Sequence, residues 1–195
     1  VLKRALDILV SVVALIVSSP IMLIEALAIK LEDGGPVFFK QPRVTKDGAI
    51  FQVLKFRTMI VDADKNKKRL ASQDDDRITK VGRIVRTLRI DELPQFINIL
   101  KGEMSVVGPR PEQAEITEKY VEVLPEFRYR LKVKAGLTGL AQILGKYNTT
   151  PKDKLILDLI YIEQYSIWVD LKLMLQTVKV LFKSDSTEGV IGELP

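Results

Sequence analysis

The distribution of apolar and polar residues divides the chain into an apolar N-terminal stretch and a longer region of short, mixed patterns. No charged residue occurs at 8–24, and thirteen of these seventeen residues are apolar. Seventeen residues is the lower limit for a helix that spans a membrane. Pro20 has no N–H to donate to the carbonyl of Ile16, so a bend or break is predicted there. The hydroxyl groups of Ser18 and Ser19 can bond to the backbone groups that Pro20 frees.

Two helical arms joined at Ser19 and Pro20 predict a re-entrant hairpin, which enters and leaves a membrane on the same face. An arm covering 8–17 would be ~15 Å long as a helix, about half of a ~30 Å hydrocarbon core. The basic residues that flank the apolar stretch are Lys3, Arg4, Lys30, Lys40, Arg43 and Lys46. Basic residues on both sides fit two cytoplasmic ends. A kinked helix in a soluble core, a straight membrane-spanning helix and a secretory signal are the alternatives.

Two segments after the apolar stretch are rich in β-branched and aromatic residues, which predicts a pair of strands at 37–40 and 50–56. A Lys-Asp-Gly turn at 46–48 separates them. The sequence MSVVG at 104–108 predicts a further strand. The sequence GLTGLAQ at 136–142 predicts a loop that its glycines interrupt.

Amphipathic patterns predict helices in the polar part of the chain. Basic residues recur at every third position of 77–89 with apolar residues between them, which predicts an amphipathic helix. A shorter helix is predicted to end at Gly102, with Asp91 as its N-cap and Pro94 in its first turn. Residues 62–76 are polar with mixed charge and predict a surface helix and loop. The basic positions of the amphipathic helix are Arg77, Lys80, Arg83, Arg86 and Arg89.

The fold class follows from these patterns. Alternate basic residues at 128–134 predict a basic edge, and 150–182 predicts two further helices. We expect an α+β, mainly helical protein with a re-entrant helix-break-helix, amphipathic surface helices and a small β element around the active site. The expected division is a membrane hairpin at 1–33, a cytoplasmic catalytic domain at 34–183 and a C-terminal tail at 184–195.

Composition adds a charge and two absences. The formal net charge is +5, which favours an anionic partner such as a phosphorylated molecule, anionic lipid or nucleic acid. The chain has no cysteine and no histidine. Thiolate nucleophiles, Cys/His zinc sites and serine–histidine mechanisms are therefore excluded. Catalysis would depend on aspartate, glutamate, lysine, tyrosine, serine or threonine.

The strongest candidate chemistry is a pair of carboxylates at the end of the basic helix. Asp91 and Glu92 follow the basic positions directly. This arrangement suits a site where phosphates meet a divalent cation. Two prolines fix the backbone around Arg110, whose guanidinium suits a phosphate or carboxylate. Lys55 and Arg57 at the end of the second strand have the plain alternative of solvated surface charges.

Six blocks, in chain order and spread over nearly the whole chain, resemble the bacterial sugar transferases of the monotopic phosphoglycosyl transferase family. They are SSP at 18–20, KFRTM at 55–59, RTLRIDELPQ at 86–95, SVVGPRP at 105–111, GLTGLAQ at 136–142 and DLIYIEQYSIWVDLKL at 158–173.

The resemblance implies transfer of a phosphosugar from a UDP-sugar to undecaprenyl (polyprenol) phosphate, with Mg²⁺ as cofactor and release of UMP. The reaction would start a capsule, exopolysaccharide or O-antigen type of glycan at the cytoplasmic face of the bacterial inner membrane. Asp91 would be the nucleophile, forming a phosphosugar ester, and a metal ligand. Glu92 would assist proton transfer, and the helix break would fall at Ser19 and Pro20. The implied substrate-binding residues are Lys55, Arg57, Arg86, Arg110 and Gln142.

Other functions stay open at this point. A non-catalytic protein could use the basic amphipathic helices to hold anionic lipid at a membrane surface. A nucleic-acid binder fits the charge alone, but the apolar N-terminus and the lack of a recognisable module argue against it. The sugar, the glycan pathway, a homodimer and an additional N-terminal membrane domain are also left open.

Overall fold

The computed structural model describes residues 1–61, 63, 75–145 and 149–181. Most of the surface helix and loop predicted at 62–76 lies outside the described residues, as does the predicted tail at 184–195. Within the described part the chain is mainly helical and carries two small sheets. This confirms the predicted mainly helical character with a small β content.

The helices are α1 (Leu2–Asp33), α2 (Lys80–Thr87), α3 (Gln95–Lys101), α4 (Ala114–Val123), α5 (Leu140–Leu144), α6 (Pro151–Glu163) and α7 (Ile167–Leu181). The strands are β1 (Phe38–Val44), β2 (Ile50–Phe56), β3 (Ser105–Val107) and β4 (Gly136–Thr138). Short 3₁₀ segments occupy Lys46–Gly48, Ile90–Glu92 and Pro125–Lys132.

Helix α1 is, among the described residues, the helix that is long and apolar enough to cross a membrane. Much of its apolar surface is exposed. The helix continues through Pro20, and Ser19 Oγ donates to the Ile16 carbonyl, which Pro20 cannot reach, over 2.8 Å. Ser18 Oγ donates to the Ala14 carbonyl over 2.7 Å. The predicted compensation is therefore confirmed for Ser19, whereas Ser18 bonds to a carbonyl that Pro20 does not free. The re-entrant path of the helix stays a prediction.

The first turns of α1 are attached to the rest of the protein by polar contacts. Arg4 donates to the last carbonyls of α3, those of Ile99 and Leu100, over 2.5 and 2.6 Å. The Ile99 carbonyl also accepts from the N–H of the C-cap residue Gly102 over 2.9 Å, and a cation is favourable at this end of the helix. The buried carboxylate of Asp7 accepts from Ser105 Oγ and Val106 N in β3, both over 2.9 Å. The start of α1 is thus fixed to α3 and β3.

The last turn of α1 is attached to the same body. Glu32 accepts from the backbone N–H groups of Lys80 and Val81, over 2.8 and 3.3 Å, and so caps the start of α2. Asp33 forms an ion pair with Arg57 at 2.5 Å. Since the start of α1 meets the end of α3 and the end of α1 meets the start of α2, α1 runs antiparallel to the 80–101 segment.

The predicted strand pair is confirmed. β1 and β2 are antiparallel, from the pair Phe38–Phe56 to the pair Val44–Ile50, and the turn between them contains the predicted 46–48. The first strand extends to Val44, beyond the predicted 37–40, because the backbone pairing between β1 and β2 continues as far as the turn.

The second sheet corrects the loop predicted at 136–142. Residues 136–138 form β4, which pairs in parallel with β3, and the helix α5 follows directly. Glycines allow this pairing because a Cβ on Gly136 would lie 2.1 Å from the backbone nitrogen of Gly108. The buried core lies between the two sheets and α3, α6 and α7; its fully buried members include Val53, Ile99, Met104, Val107 and Tyr161.

The predicted basic helix at 77–89 is shorter in the structure. Thr79 caps α2 by accepting from the Gly82 N–H over 2.9 Å, so the helix begins at Lys80. Arg77 precedes it and pairs with Asp75. Arg89 follows it in a left-handed conformation. The positions at the two ends of the predicted stripe are therefore not helical.

The basic edge predicted at 128–134 is also wrong in part. These residues lie in and after the 3₁₀ segment Pro125–Lys132, and Arg130 is buried. Its guanidinium pairs with the buried carboxylate of Asp158 at 2.8 Å. A partner 28 positions away in the sequence cannot be read from the local pattern. The two helices predicted at 150–182 are confirmed as α6 and α7.

Replacing Gly82 by alanine is expected to destabilise the protein, although alanine is the better helix former. A Cβ at this position would lie 2.1 Å from the Thr58 carbonyl oxygen, so α2 would have to move away from its support. Overpacking of this kind costs about 1–3 kcal/mol. Thermal unfolding in detergent measures the effect, with Arg83→Ala on the exposed side of α2 as the control. Equal unfolding temperatures for the Gly82→Ala and wild-type proteins would contradict this packing.

Candidate active site

The candidate site is centred on Glu92, whose carboxylate is shared by two cations. Lys55 Nζ lies 2.6 Å from Glu92 Oε1, and Arg110 Nη2 lies 2.8 Å from the same oxygen. Lys55 is the penultimate residue of β2, and Arg110 follows the end of β3. The 3₁₀ segment Ile90–Glu92 brings the glutamate between them. Three segments that are distant in sequence therefore meet at one carboxylate.

A buried network fixes the backbone of Arg110. Arg130 donates to the Arg110 carbonyl over 2.9 Å and to Asp158 Oδ2 over 2.9 Å. Lys154 forms an ion pair with Glu112, two residues after Arg110. The position of the Arg110 guanidinium is thus set by helix α6 as well as by the flanking prolines. Sequence analysis missed this support because its members are widely separated along the chain.

Asp91 is not the N-cap that the sequence pattern predicts. It lies in the 3₁₀ segment, and Pro94 occupies the N-cap of α3, without a side-chain cap. The predicted end of this helix at Gly102 is confirmed by its left-handed conformation. Asp91 is half-buried, and among the described residues its carboxylate has no hydrogen-bond or ion-pair partner.

The two neighbouring carboxyl groups differ in their acidity. Burial would raise the pKa of Glu92, but the charges and hydrogen bonds of Arg110 and Lys55 hold it well below its usual range. The charge of Glu92 in turn raises the pKa of Arg110. Burial and the neighbouring charge of Glu92 raise the pKa of Asp91. The positive charges of Lys55, Arg86 and Arg110 offset part of this increase. Glu92 is therefore a fixed anion, and the charge on Asp91 is poorly compensated.

The other predicted substrate-binding residues are distributed unequally around this centre. Arg86, in the last turn of α2, lies near enough for its charge to act on Asp91. Arg57 instead holds Asp33 with two hydrogen bonds and donates to the Pro36 carbonyl over 2.6 Å. None of its described contacts reaches the two carboxylates. A substrate role for Arg57 therefore stays a prediction.

Gln142 lies beside the segment that leads to Arg110. Its amide oxygen would be 2.7 Å from a Cβ on Gly139, whose own backbone approaches Gly108. Both polar atoms of the Gln142 amide are buried without a described partner. An amide in this state can bind a ligand, and the substrate-binding role of Gln142 stays a prediction.

Two further polar side chains next to the site were not singled out from the sequence. Glu25 in α1 and Gln95 at the start of α3 are each only 3% exposed. Both carboxylate oxygens of Glu25 and the amide nitrogen of Gln95 lack a described partner. The available signal for Glu25 was an acidic residue at the edge of an otherwise uncharged apolar stretch, which indicates a function in membrane-associated helices.

The residues present fit a magnesium ion that is completed by a substrate. Among the described residues, no cluster of three acidic side chains could hold a metal ion by itself. Mg²⁺ commonly uses one or two carboxylates together with substrate phosphates. Asp91, with its unpaired and poorly compensated carboxylate, suits that role. Binding of the metal by Asp91 stays a prediction.

Comparison with known proteins gives a consistent result. A family model described as bacterial sugar transferase matches residues 1–184. The chain is 41% identical, over 92% of its length, to a UDP-N-acetylgalactosamine-undecaprenyl-phosphate N-acetylgalactosaminephosphotransferase of Aeromonas hydrophila, and covers 43% of that relative. It is 42% identical, over 94% of its length, to a UDP-glucose:undecaprenyl-phosphate glucose-1-phosphate transferase of Caulobacter vibrioides, and covers 71% of it.

A third relative carries the same glucose-1-phosphate transferase name. It comes from Escherichia coli strain K12, and the chain is 43% identical to it over 91% of its own length. The chain covers 39% of this relative. The chain therefore spans less than half of two of these three curated relatives, and the relatives differ in the sugar that their names specify.

Glu92 is expected to stabilise the folded protein above acidic pH. Its pKa is lower when folded than in the unfolded chain, so this stabilisation is complete above the unfolded pKa, declines below it, and is lost as the pH falls through the lower folded pKa. Glu92→Gln should therefore be less stable than wild type at pH 7. The difference in stability between the two proteins should become smaller below about pH 5. Denaturation in detergent from pH 3 to pH 7 measures both effects. Glu122→Gln, at an exposed position of α4, is the matched control. Parallel stability curves for Glu92→Gln and wild type would contradict the ion-pair assignment.

Proposed function

The chain belongs to the bacterial sugar transferases, and on that premise we propose that it transfers a phosphosugar from a UDP-sugar to undecaprenyl phosphate, with release of UMP. The named activities of the relatives support this donor and acceptor. The observation that carries the proposal is that Asp91, which has no described hydrogen-bond or ion-pair partner, lies beside a carboxylate that holds two cations. A nucleophile must be free to attack, while the cations that receive a diphosphate must be held in place.

In the proposed first step, a carboxylate oxygen of Asp91 attacks the sugar-bearing phosphorus of the donor. The new Asp91–phosphorus bond forms as the bond from that phosphorus to UMP breaks, and UMP leaves with the bridging oxygen and its electron pair. In the second step an oxygen of undecaprenyl phosphate attacks the same phosphorus. The bond to Asp91 breaks, which regenerates the carboxylate and yields a diphosphate-linked product. Dividing the reaction allows a water-soluble donor and a lipid acceptor to use the site in turn.

Lys55 and Arg110 are suited to bind the donor diphosphate, whose charge otherwise repels Asp91. Both cations are committed to Glu92 in the structure. A diphosphate that draws them away would remove the interactions that keep the Glu92 pKa low. Glu92 would then become a better proton acceptor for the acceptor phosphate in the second step. When bound, Mg²⁺ supplies neutralisation of the phosphate charge, and Asp91 is the residue proposed to hold it.

We also propose that the protein lies at the cytoplasmic face of the membrane with α1 re-entering the side from which it started. The support is the attachment of both ends of α1 to one body, by Asp7 at one end and Glu32 at the other. A straight span would place one of these ends on the far side. Between them, Ile16, Val17, Leu23 and Ile24 are each more than 60% exposed. Such a surface is favourable in a lipid environment and costly in water.

Asp91→Asn is expected to abolish sugar-phosphate transfer while leaving folding and membrane association unchanged. The amide retains the shape of the side chain but cannot form the ester with phosphorus. Release of UMP from a panel of UDP-sugars, with undecaprenyl phosphate and Mg²⁺, measures turnover. Asp153→Asn, at the exposed start of α6, is the control for loss of a carboxylate. Near-normal release by Asp91→Asn would overturn the role of Asp91. No release by the wild type with any donor would favour the non-catalytic lipid-binding alternative.

The side of the membrane on which α1 begins is expected to depend on both Pro20 and the attachment through Asp7. The chain has no cysteine, so Leu2→Cys introduces a unique label site. In intact cells this cysteine should not react with a membrane-impermeant maleimide. Pro20→Leu removes a residue that costs ~3 kcal/mol within a helix and favours a straight span. Combined with Asp7→Leu, it should make a fraction of molecules reactive from outside. Labelling of the Leu2→Cys protein without these changes would refute the re-entrant path.

A further inference from the structure

The backbone around Arg110 is held at four consecutive carbonyl groups, those of residues 109–112. Each of them accepts a hydrogen bond from another part of the chain. In the order of the acceptors, the donors are Gly136 N over 2.8 Å, Arg130 Nη2 over 2.9 Å, Arg43 Nη1 over 3.1 Å and Val44 N over 2.9 Å. The prolines on both sides of Arg110 are buried, whereas its own side chain is 43% exposed. Arg110 therefore extends from a fixed backbone to a position that a ligand can reach.

Two of the four donors are guanidinium groups, and they differ in their other partners. Arg130 pairs with the carboxylate of Asp158 at 2.8 Å. Arg43 is half-buried, and it donates to Gln41 Oε1 over 2.6 Å as well as to the Pro111 carbonyl. Among the described residues no carboxylate lies within ion-pair distance of Arg43. Its planar fork of N–H groups connects two neutral acceptors, which belong to β1 and to the segment after β3.

The contact with Pro111 gives Arg43 an influence on its neighbour Arg110. A proline ring fixes the φ angle of its residue, so rotation about that bond cannot absorb a movement of the Pro111 carbonyl. Such a movement would reach the peptide group that follows Arg110. Arg43 also pairs with Phe51 in the ladder between β1 and β2, and β2 carries Lys55. The Arg43 side chain thus connects the strand pair that presents Lys55 with the segment that presents Arg110.

We propose that Arg43 is a positioning residue that sets the separation between Lys55 and Arg110. This inference rests on the proposed function, in which these two cations bind the donor diphosphate. Without substrate, Glu92 holds both cations. A diphosphate that takes the place of Glu92 removes this restraint, whereas the two hydrogen bonds of Arg43 do not involve the ligand and persist. Cations that are already in place bind and stabilise a diphosphate with a smaller loss of conformational freedom.

Titration of UDP into the purified full chain, in detergent with Mg²⁺, measures the affinity for a diphosphate without turnover. Arg43→Met retains an unbranched side chain but removes both hydrogen bonds. It should weaken UDP binding about tenfold, as loss of one charge-assisted hydrogen bond does. Arg43→Lys retains the charge and part of the donor capacity, so its affinity should be intermediate. Lys40→Met, at an exposed position of the same strand, removes an equal charge and should bind UDP as the wild type does.

Combination with Arg110→Met decides whether Arg43 acts through Arg110. If it does, Arg43→Met should cause no further loss of UDP affinity in the Arg110→Met protein, whereas direct contact with the diphosphate would make the two losses additive. Gln41→Leu removes only the second partner of Arg43. It should weaken UDP binding less, again only while Arg110 is present, and it serves as the test if Arg43→Met does not fold. Additive losses would overturn the positioning role. Absence of UDP binding to the wild type would overturn the diphosphate site of the proposed function as well.

Steady-state kinetics separates a positioning role from a general loss of folded enzyme. In a two-step reaction through a covalent intermediate, kcat/KM for each substrate reports the step in which that substrate reacts. Arg43→Met should lower kcat/KM for the UDP-sugar about tenfold, in line with the loss of UDP affinity. It should leave kcat/KM for undecaprenyl phosphate close to the wild-type value. An equal fall in both values would contradict the proposal, because loss of active protein lowers both alike.

Discussion

The structure depends on the attachment of the long apolar helix α1 to the rest of the protein at both of its ends. Apolar contact cannot hold α1 in place in a lipid environment, because lipid chains solvate its exposed face as well as protein does. The polar contacts of Arg4 and Asp7 at one end, and of Glu32 and Asp33 at the other, provide the directional restraint. These partners lie in α3, in β3, at the start of α2 and directly after β2. The same elements carry or flank Lys55, Asp91 and Glu92. The contacts that position α1 therefore involve the elements that form the site.

Two adjacent carboxylates in the site, those of Asp91 and Glu92, differ in their ion-pair partners. Glu92 takes both cations, Lys55 and Arg110, and becomes a fixed anion. Asp91 receives only the more distant influence of these charges, together with that of Arg86. A carboxylate without a described partner is costly for the fold. It suits the nucleophile that Asp91 is proposed to be, since no hydrogen bond would have to break before the attack. A short 3₁₀ turn achieves this difference between neighbours, which a regular helix with Asp91 as its cap would not.

Sequence reasoning succeeded where the determining interactions are local. The strand pair, the end of α3 at Gly102 and the hydroxyl support around Pro20 depend on neighbouring residues, and the structure confirms each. It failed where a side chain meets a partner far along the chain. Arg130 was placed on an exposed edge because Asp158 could not be foreseen. The N-cap assigned to Asp91 failed for a different reason. Pro94 can occupy the N-cap as well as the first turn of a helix, and the neighbouring residues do not distinguish these two positions.

The attachments of α1 relate the apolar helix to the position of the site. An uncharged face would suffice if α1 were only an anchor, because apolar surface alone favours a lipid environment. The helix also makes polar contacts at both ends, through Asp7 to β3 and through Glu32 to the start of α2. β3 leads to Arg110, and α2 leads to Asp91. With α1 held in this way, the site lies at a fixed distance from the apolar surface of the helix. The proposed reaction requires such a fixed distance, because its acceptor phosphate would lie at the membrane surface.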